Sequence, residues 1–363
     1  MAGAAAHAGA RPAASADGAR ALVVQTSFLG DMVLTTPLIA ELARRGPVDV
    51  VATPASAPLL ANNPAVRRVI VYDKRGTDAG VRGLWRMARE VRASSSVEGE
   101  HVGTTAYLAQ GSMRTALLAL LAGATERVGF ATSAGRALYT RRVEYHEQAH
   151  HAERLWRLAA VVNAPSPPAG VLRPRLYPGA AEIAAVDGLL ASSGHAGEPL
   201  VVLAPGSVWP TKRWPGYVSL ARRLSARARV VVVGGPADAE LATEVATAAG
   251  GSAINATGRL SLLASAELIG RAVAMVTNDS APLHLASAMG IPTVAVFGPT
   301  VPEFGFGPLA PARRVIGHES LACRPCDRHG PRQCPLGHWR CMREIDVRVV
   351  EEAVRQVTSN PSE

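Results

Sequence analysis

The sequence predicts an α/β protein made of two Rossmann-like, parallel-sheet domains that face each other across a cleft. Three observations predict it. The chain has 363 residues, more than one hydrophobic core usually serves, so two domains are expected. Short apolar runs alternate with helix-length amphipathic stretches, the pattern of a parallel sheet covered by helices. The pattern stops at a segment rich in proline and glycine and then starts again.

The apolar run ALVVQ from Ala21 reads as a buried strand, the loop TSFLGD follows, and Leu34, Leu38 and Leu42 then recur at helical spacing. Further strands are expected at Val48 to Ala52, Val69 to Tyr72 and Thr105 to Ala109, and a helix at Ser112 to Leu121. The stretch Ser94 to Thr104 (SSSVEGEHVGT) is poor in apolar residues just before that fourth strand. Asn163 to Gly179 carries too much Pro and Gly for a helix or a central strand and reads as the linker. After Pro199 the units return: LVVLAP, a helix over Tyr217 to Ala226, VVVVGG from Val230, and a helix near Ala237 to Ala249. AVAMVTN from Ala272, the helix LHLASAMG, the strand TVAVFG from Thr293 and a last helix over Val347 to Val357 complete the chain. The expected organisation is a disordered leader (1–20), an N-terminal domain (21–165), a linker with a connecting helix (166–198), a C-terminal domain (199–346) and a terminal helix and tail (347–363).

Hydrophobic residues make up 48% of the chain, yet no run crosses bilayer length without Arg, Asp, Glu, Gly or Pro, so no membrane span is expected. The leader lacks a continuous apolar stretch, so no secretory signal is expected and the protein is placed in the cytoplasm. A formal charge of +9 points to an anionic partner: nucleic acid, an anionic membrane face or a phosphorylated substrate. Lys74 and Lys212 are the only lysines among 38 basic residues. Where arginine serves almost every surface, a lysine invites a question.

Ligands of open parallel sheets bind at the carboxyl ends of strands, where loops meet helix N-termini. Three such loops are rich in functional groups. In Ser27-Phe28-Leu29-Gly30-Asp31, Gly30 permits a tight turn; Asp31 is either a helix N-cap or a general base for an acceptor hydroxyl. In Ala204 to Pro215 (APGSVWPTKRWP), Gly206 and Ser207 let the backbone approach an anion, and Lys212 with Arg213 supplies adjacent cations. In Thr277 to His284 (TNDSAPLH), Asp279 reads as an N-cap, Ser280 and Ala281 offer first-turn amides, and His284 follows one turn on. Taken singly, these residues are caps and packed side chains; taken together, a shared anionic ligand explains them better. No GxGxxG fingerprint follows any strand and no GxxxxGK[ST] loop is present, which argues against dinucleotide oxidoreduction and NTP hydrolysis.

At these loops the sequence resembles the ADP-heptose:lipopolysaccharide heptosyltransferases, the inverting GT-B glycosyltransferases of family 9, in a heptosyltransferase II-like form. SFLGDMVLTTP, APGSVWPTKRWP, TNDSAPLHLASAMGIPTVAVFGPT and the tail CRPC…CPLGHWRCMREI carry the likeness, which spans about Ala21 to Arg348. The resemblance implies a GT-B fold with the acceptor in the N-terminal domain and the nucleotide sugar in the C-terminal domain. Asp31 matches the aspartate thought to deprotonate the acceptor, with Ser27 and Gly30 beside it on the acceptor side. Lys212 matches a lysine at the donor phosphates, and Asp279, Ser280, Ala281 and His284 match the helix start that holds sugar and diphosphate. Glu240 is a loose counterpart of the glutamate that contacts the ribose, and His150 to Arg154 resembles a family HxxER segment, or else forms a polar helix face. The implied partners are ADP-heptose and a lipid-linked saccharide, with peripheral contact to the inner membrane face, no nucleic acid, no cofactor and a monomeric state.

Cys323, Cys326, Cys334 and Cys341 lie in one loop, 321–343. Their spacing permits a tetrahedral zinc site, and buried thiols or disulfides are the alternatives. Two other functions stay open on sequence alone. A basic nucleic-acid-binding protein with a zinc module would use the charge and the cysteines, but with 4% aromatic residues it has little for base stacking. A nucleotide-sugar-binding protein without transfer would use the C-terminal loops only.

Overall fold

The computed structural model describes residues 20–94, 96–97, 100–101, 103–161 and 164–359. The expected leader falls outside them up to residue 19, as do two residues of the expected linker and helix boundary (162–163) and the last four of the tail.

The N-terminal lobe runs β1 (Arg20–Gln25), α1 (Leu29–Ala43), β2 (Val48–Ala52), β3 (Arg68–Val71) and α2 (Gly80–Ser94). A short antiparallel pair, β4 (Ser96–Val97) and β5 (Glu100–His101), follows. Then come β6 (Thr104–Leu108), α3 (Met113–Leu121), β7 (Glu126–Phe130), β8 (Arg141–Val143) and α4 (His151–Arg157). The connection holds α5 (Ala169–Leu172) and α6 (Ala180–Ser192). The C-terminal lobe is β9 (Leu200–Ala204), α7 (Tyr217–Leu224), β10 (Arg229–Val232), α8 (Ala239–Ala249), β11 (Ile254–Asn255), α9 (Leu262–Gly270), β12 (Ala274–Asn278), α10 (Ala281–Met289), β13 (Thr293–Phe297) and β14 (Arg313–Gly317). It ends with α11 (Arg340–Arg343) and α12 (Val347–Ser359).

Each lobe has a six-stranded parallel sheet, ordered β3-β2-β1-β6-β7-β8 and β11-β10-β9-β12-β13-β14. Both are the doubly wound order, which reverses direction between β1 and β6 and again between β9 and β12. The strands read from apolar runs are the central ones. Every residue of β1, β2, β9, β12 and β13 is buried, as strands covered on both faces must be. Burial holds even for Asp49 within β2, whose carboxylate receives Arg67 Nε at 2.8 Å. Four outer strands were not expected. β7 (ERVGF), β8 (RRV), β11 (IN) and β14 (RRVIG) are short or charged and lie toward the sheet edges, where charge discourages further pairing and no apolar run forms. The apolar-poor stretch before β6 is occupied by the β4–β5 pair.

Helix α1 continues through Pro37, which cannot donate to the Val33 carbonyl one turn back. Thr36 Oγ1 donates to that carbonyl instead, at 2.8 Å. One apolar cluster joins the two lobes: Leu34, Leu38 and Ile39 of α1 and Leu155 of α4 share it with Leu263 and Leu268 of α9 and Leu285 of α10. The terminal helix α12 returns to the second lobe, setting Val350, Ala353, Val354 and Val357 among Leu220, Val230 and Val294. The two sheets are therefore fixed with their switch points toward a common cleft.

Candidate active site

That cleft is a cavity of about 670 Å³. The loops after β1 and β6 wall it on one side and those after β9 and β12 on the other, where a doubly wound sheet places its ligands. Ser27, Gly30 and Asp31 line it from the N-terminal lobe; Ser207, Lys212, Asp279, Ser280, Ala281 and His284 line it from the C-terminal lobe.

Asp31 is not the N-cap of α1. Phe28 holds that position, and Asp31 sits at the third helical residue, reaching back to accept from the Phe28 amide at 3.3 Å. Ser27 Oγ donates to the same oxygen, Oδ2, at 2.5 Å. Oδ1 is left toward His151, whose Nε2 lies 3.7 Å away. One oxygen is thus held by donors while the other can take a proton.

On the opposite wall, Lys212 Nζ donates to Asp279 Oδ2 at 2.6 Å, and Thr300 Oγ1 donates to the same atom at 2.7 Å. Both members of the ion pair are buried. Asp279 is therefore not the cap of α10 either. Ser280 holds the N-cap position without a side-chain capping bond, and Pro282 in the first turn adds no amide to those of Ser280 and Ala281. Gly30 packs directly on the imidazole of His284, where a Cβ would lie 2.7 Å from Cδ2. The starts of α1 and α10 meet at this contact, which brings the loops after β1 and β12 together.

Three expected donor-side residues do not line the cavity. Arg213 turns back on its own loop, donating from Nε and Nη2 to the Ser207 carbonyl at 3.0 and 2.8 Å. Gly206 lies against Asp238, where a Cβ would sit 2.4 Å from the carboxylate; its glycine is needed for that close approach. Glu240 is exposed on the first turn of α8.

The segment resembling HxxER is the junction between lobes rather than a free polar face. The His151 amide donates to the Gly305 carbonyl at 2.8 Å, His150 Nε2 pairs with the Gly307 carbonyl at 3.0 Å, and Arg154 Nη2 donates to the Phe304 carbonyl at 3.1 Å. His150 Nδ1 accepts from the Ala152 amide at 3.2 Å, capping α4. Phe306 packs on His151 and His284, with ring centroids 4.9 and 6.4 Å apart. Burial lowers all three histidines: His150 to about 3, and His151 and His284 to about 4, opposed by Asp31 at His151 and by Asp279 and then Asp31 at His284. They are neutral at pH 7.

A histidine with a depressed folded pKa binds fewer protons folded than unfolded between that value and about 6.5. Stability is then complete above that window and is lost as pH falls through it. Each histidine is expected to withdraw on the order of 2 kcal/mol between pH 7 and pH 5, seen as a falling urea midpoint. A midpoint independent of pH over that range would contradict their buried, neutral state.

The cysteine loop has a role the cysteine pattern did not signal. Arg328 and His329 line the cavity, and Arg328 Nη2 donates to Tyr145 Oη of the other lobe at 2.9 Å. His329 lies between Phe28 and Trp209, at 6.2 and 6.4 Å. Gly330, at φ +87°, packs on the Lys212 stem. Arg324 anchors the loop by donating to the Gly298 carbonyl at 2.5 Å and to the Phe297 and Thr300 carbonyls at 3.1 Å. The four cysteines are free thiols, and among the described residues no three His, Cys, Asp or Glu side chains converge to hold a metal ion. Burial pushes Cys341 up to about 11. Lys74, the second lysine, bounds a neighbouring cavity of about 550 Å³ with Thr53, Tyr72 and Arg75, its Nζ donating to the Thr26 carbonyl at 2.6 Å.

Two facing doubly wound lobes, with a carboxylate on one and a buried lysine paired beside the start of α10 on the other, have the GT-B fold, and the family match makes the protein a glycosyltransferase. The chain belongs to glycosyltransferase family 9 (heptosyltransferase), whose sequence profile matches residues 101–339. It is 30% identical over 326 residues to lipopolysaccharide heptosyltransferase 1 of Pseudomonas aeruginosa, covering 85% of this chain and 86% of that protein. It is 28% identical to lipopolysaccharide heptosyltransferase 2 of Escherichia coli, over 81% of this chain and 87% of that one. Among solved structures, the E. coli ADP-heptose lipopolysaccharide heptosyltransferase II superposes with a TM-score of 0.75 at 25% identity, covering 94% of this chain and 99% of the other. A family 9 glycosyltransferase from Veillonella parvula superposes at 0.81 with 23% identity, covering 95% and 98%, and shares the fold.

Proposed function

We propose that the protein transfers a heptose from ADP-heptose to the inner core of a lipopolysaccharide precursor, with inversion at the anomeric carbon and without a divalent metal. One observation carries the reading: Asp31 from one lobe and the Lys212–Asp279 pair from the other line a single cavity. The names of the relatives support the sugar and the acceptor class.

In this mechanism the acceptor hydroxyl approaches Asp31 Oδ1 while Ser27 and the Phe28 amide hold Oδ2. The hydroxyl oxygen forms its bond to the anomeric carbon as the bond to the diphosphate breaks, and its proton passes to Asp31. The electrons of the broken bond leave on ADP. Lys212 and the positive end of α10 stabilise that charge, a task a metal ion performs elsewhere. Neutral His151 and His284 leave the Asp31 charge undiminished.

The test is transfer from ADP-, GDP- and UDP-linked sugars to a deacylated inner-core acceptor, with and without EDTA, the product anomer being assigned by NMR. Turnover with the ADP sugar alone, inverted and insensitive to EDTA, is expected. A retained configuration or an absolute metal requirement would overturn the mechanism.

A further inference from the structure

Helices α2 and α3 pack side by side on the outer face of the N-terminal sheet, through Leu84, Met87, Ala88 and Val91 of one and Ala116, Leu118 and Ala119 of the other. Their outward faces are not conventionally polar. Val81 is 70% exposed, Trp85 52%, Met113 45% and Leu120 40%. Val81 and Trp85 stand one turn apart on α2 and so share a face. Exposed Arg82, Arg89 and Arg92 surround them. Among the described residues none of these three is in an ion pair, whereas Arg86 of the same helix is tied to Asp78. Arg92 reaches across to Gly123 at the end of α3.

The placement matters as much as the composition. In a doubly wound lobe, helices begin at the carboxyl ends of strands. Val81 and Met113, in the first turns of α2 and α3, therefore lie at the edge of the lobe that carries the cavity of Tyr72, Lys74 and Arg75. No helix among the described residues is long and apolar enough to cross a membrane. A basic amphipathic helix with an exposed Trp is instead suited to lie along an interface, its apolar side chains in the acyl boundary and its arginines among phosphates.

We propose that the α2–α3 face docks on an anionic phospholipid surface and presents the acceptor-side cavity to it. The inference rests on the proposed function for its rationale, since a lipid-linked acceptor is delivered from such a surface. Charge complementarity selects this occupant. A second copy of the chain docked face to face would set Arg82, Arg89 and Arg92 against their own equivalents.

The test is co-sedimentation of the full chain with phosphatidylcholine vesicles containing or lacking phosphatidylglycerol. The variants are Arg82→Ala/Arg89→Ala/Arg92→Ala and Trp85→Ala; unchanged thermal midpoints and ADP affinity control for folding. Binding is expected only with phosphatidylglycerol, and three basic residues at an anionic surface are together worth ~10²-fold in partitioning, lost in the triple variant. Trp85→Ala is expected to weaken binding with the same lipid selectivity. Equal binding to both vesicles, no binding, or binding unaltered in both variants would overturn the assignment. So would a concentration-dependent dimer that the variants abolish, which would make the face a self-interface. Vesicle binding is read without sugar transfer, so failure of the transfer reaction leaves this result intact and the reverse also holds.

Discussion

Asp31→Asn is expected to abolish sugar transfer while ADP binding, followed by calorimetry, stays near that of the parent protein. Asparagine keeps the shape of the side chain and can still accept from Ser27 and the Phe28 amide, so α1 retains its start. It cannot take the acceptor proton. Loss of a positioned general base costs about 10²- to 10⁴-fold, and the whole of that loss should fall on turnover, because the proposed mechanism places the nucleotide on the other lobe. Unchanged turnover would remove Asp31 from the mechanism.

Lys212→Ala has two expected consequences, and the buried pair separates them. Losing a charged hydrogen bond to the diphosphate should weaken donor binding by about 1.5–3 kcal/mol. It should also leave Asp279 buried with Thr300 as its remaining side-chain partner, and breaking a buried ion pair costs about 3–5 kcal/mol of stability. Adding Asp279→Asn removes the unpaired charge. The double variant is therefore expected to recover most of the urea midpoint but not the donor affinity. Unaltered donor affinity in the folded single variant would count against the phosphate role, and recovery of both properties would make Lys212 purely structural.

The central strands were legible because burial on both faces demands continuous apolar runs. LVVLA and TVAVF cannot be read as anything solvated. The edge strands escaped for the converse reason: RRVIG of β14 is half exposed and carries the charges that suit an edge. The cavity loops were legible as far as chain proximity reaches. Ser27, Asp31, Lys212 and Asp279 sit at strand ends, so topology alone brings them to one cleft. Side-chain direction was not legible. Arg213 adjoins Lys212 in sequence but turns to the Ser207 carbonyl, and Asp279 is drawn from a capping role by an ammonium 67 residues away along the chain.

His151 was hidden by its dependence on three separated segments, since its environment is made by Asp31, Phe306 and the Gly305 carbonyl. The cysteine loop was read through its thiols, yet its contribution to the cleft is made by Arg328, His329 and Gly330. The signal available in sequence was the charged and glycine-containing DRHG between the second and third cysteines. The second lysine was a better clue, for Lys74 proves to border the cavity beside the β1–α1 loop.

In the proposed mechanism a single sugar spans Asp31 of the first lobe and a diphosphate held at Lys212 of the second, across the cavity that both residues line. The most direct measurement is a crystal structure of the Asp31→Asn protein with an unreactive ADP-sugar analogue. The diphosphate is predicted within hydrogen-bonding reach of Lys212 Nζ and the start of α10, with the anomeric carbon turned toward residue 31. A diphosphate bound elsewhere, or a sugar directed away from the α1 start, would contradict it.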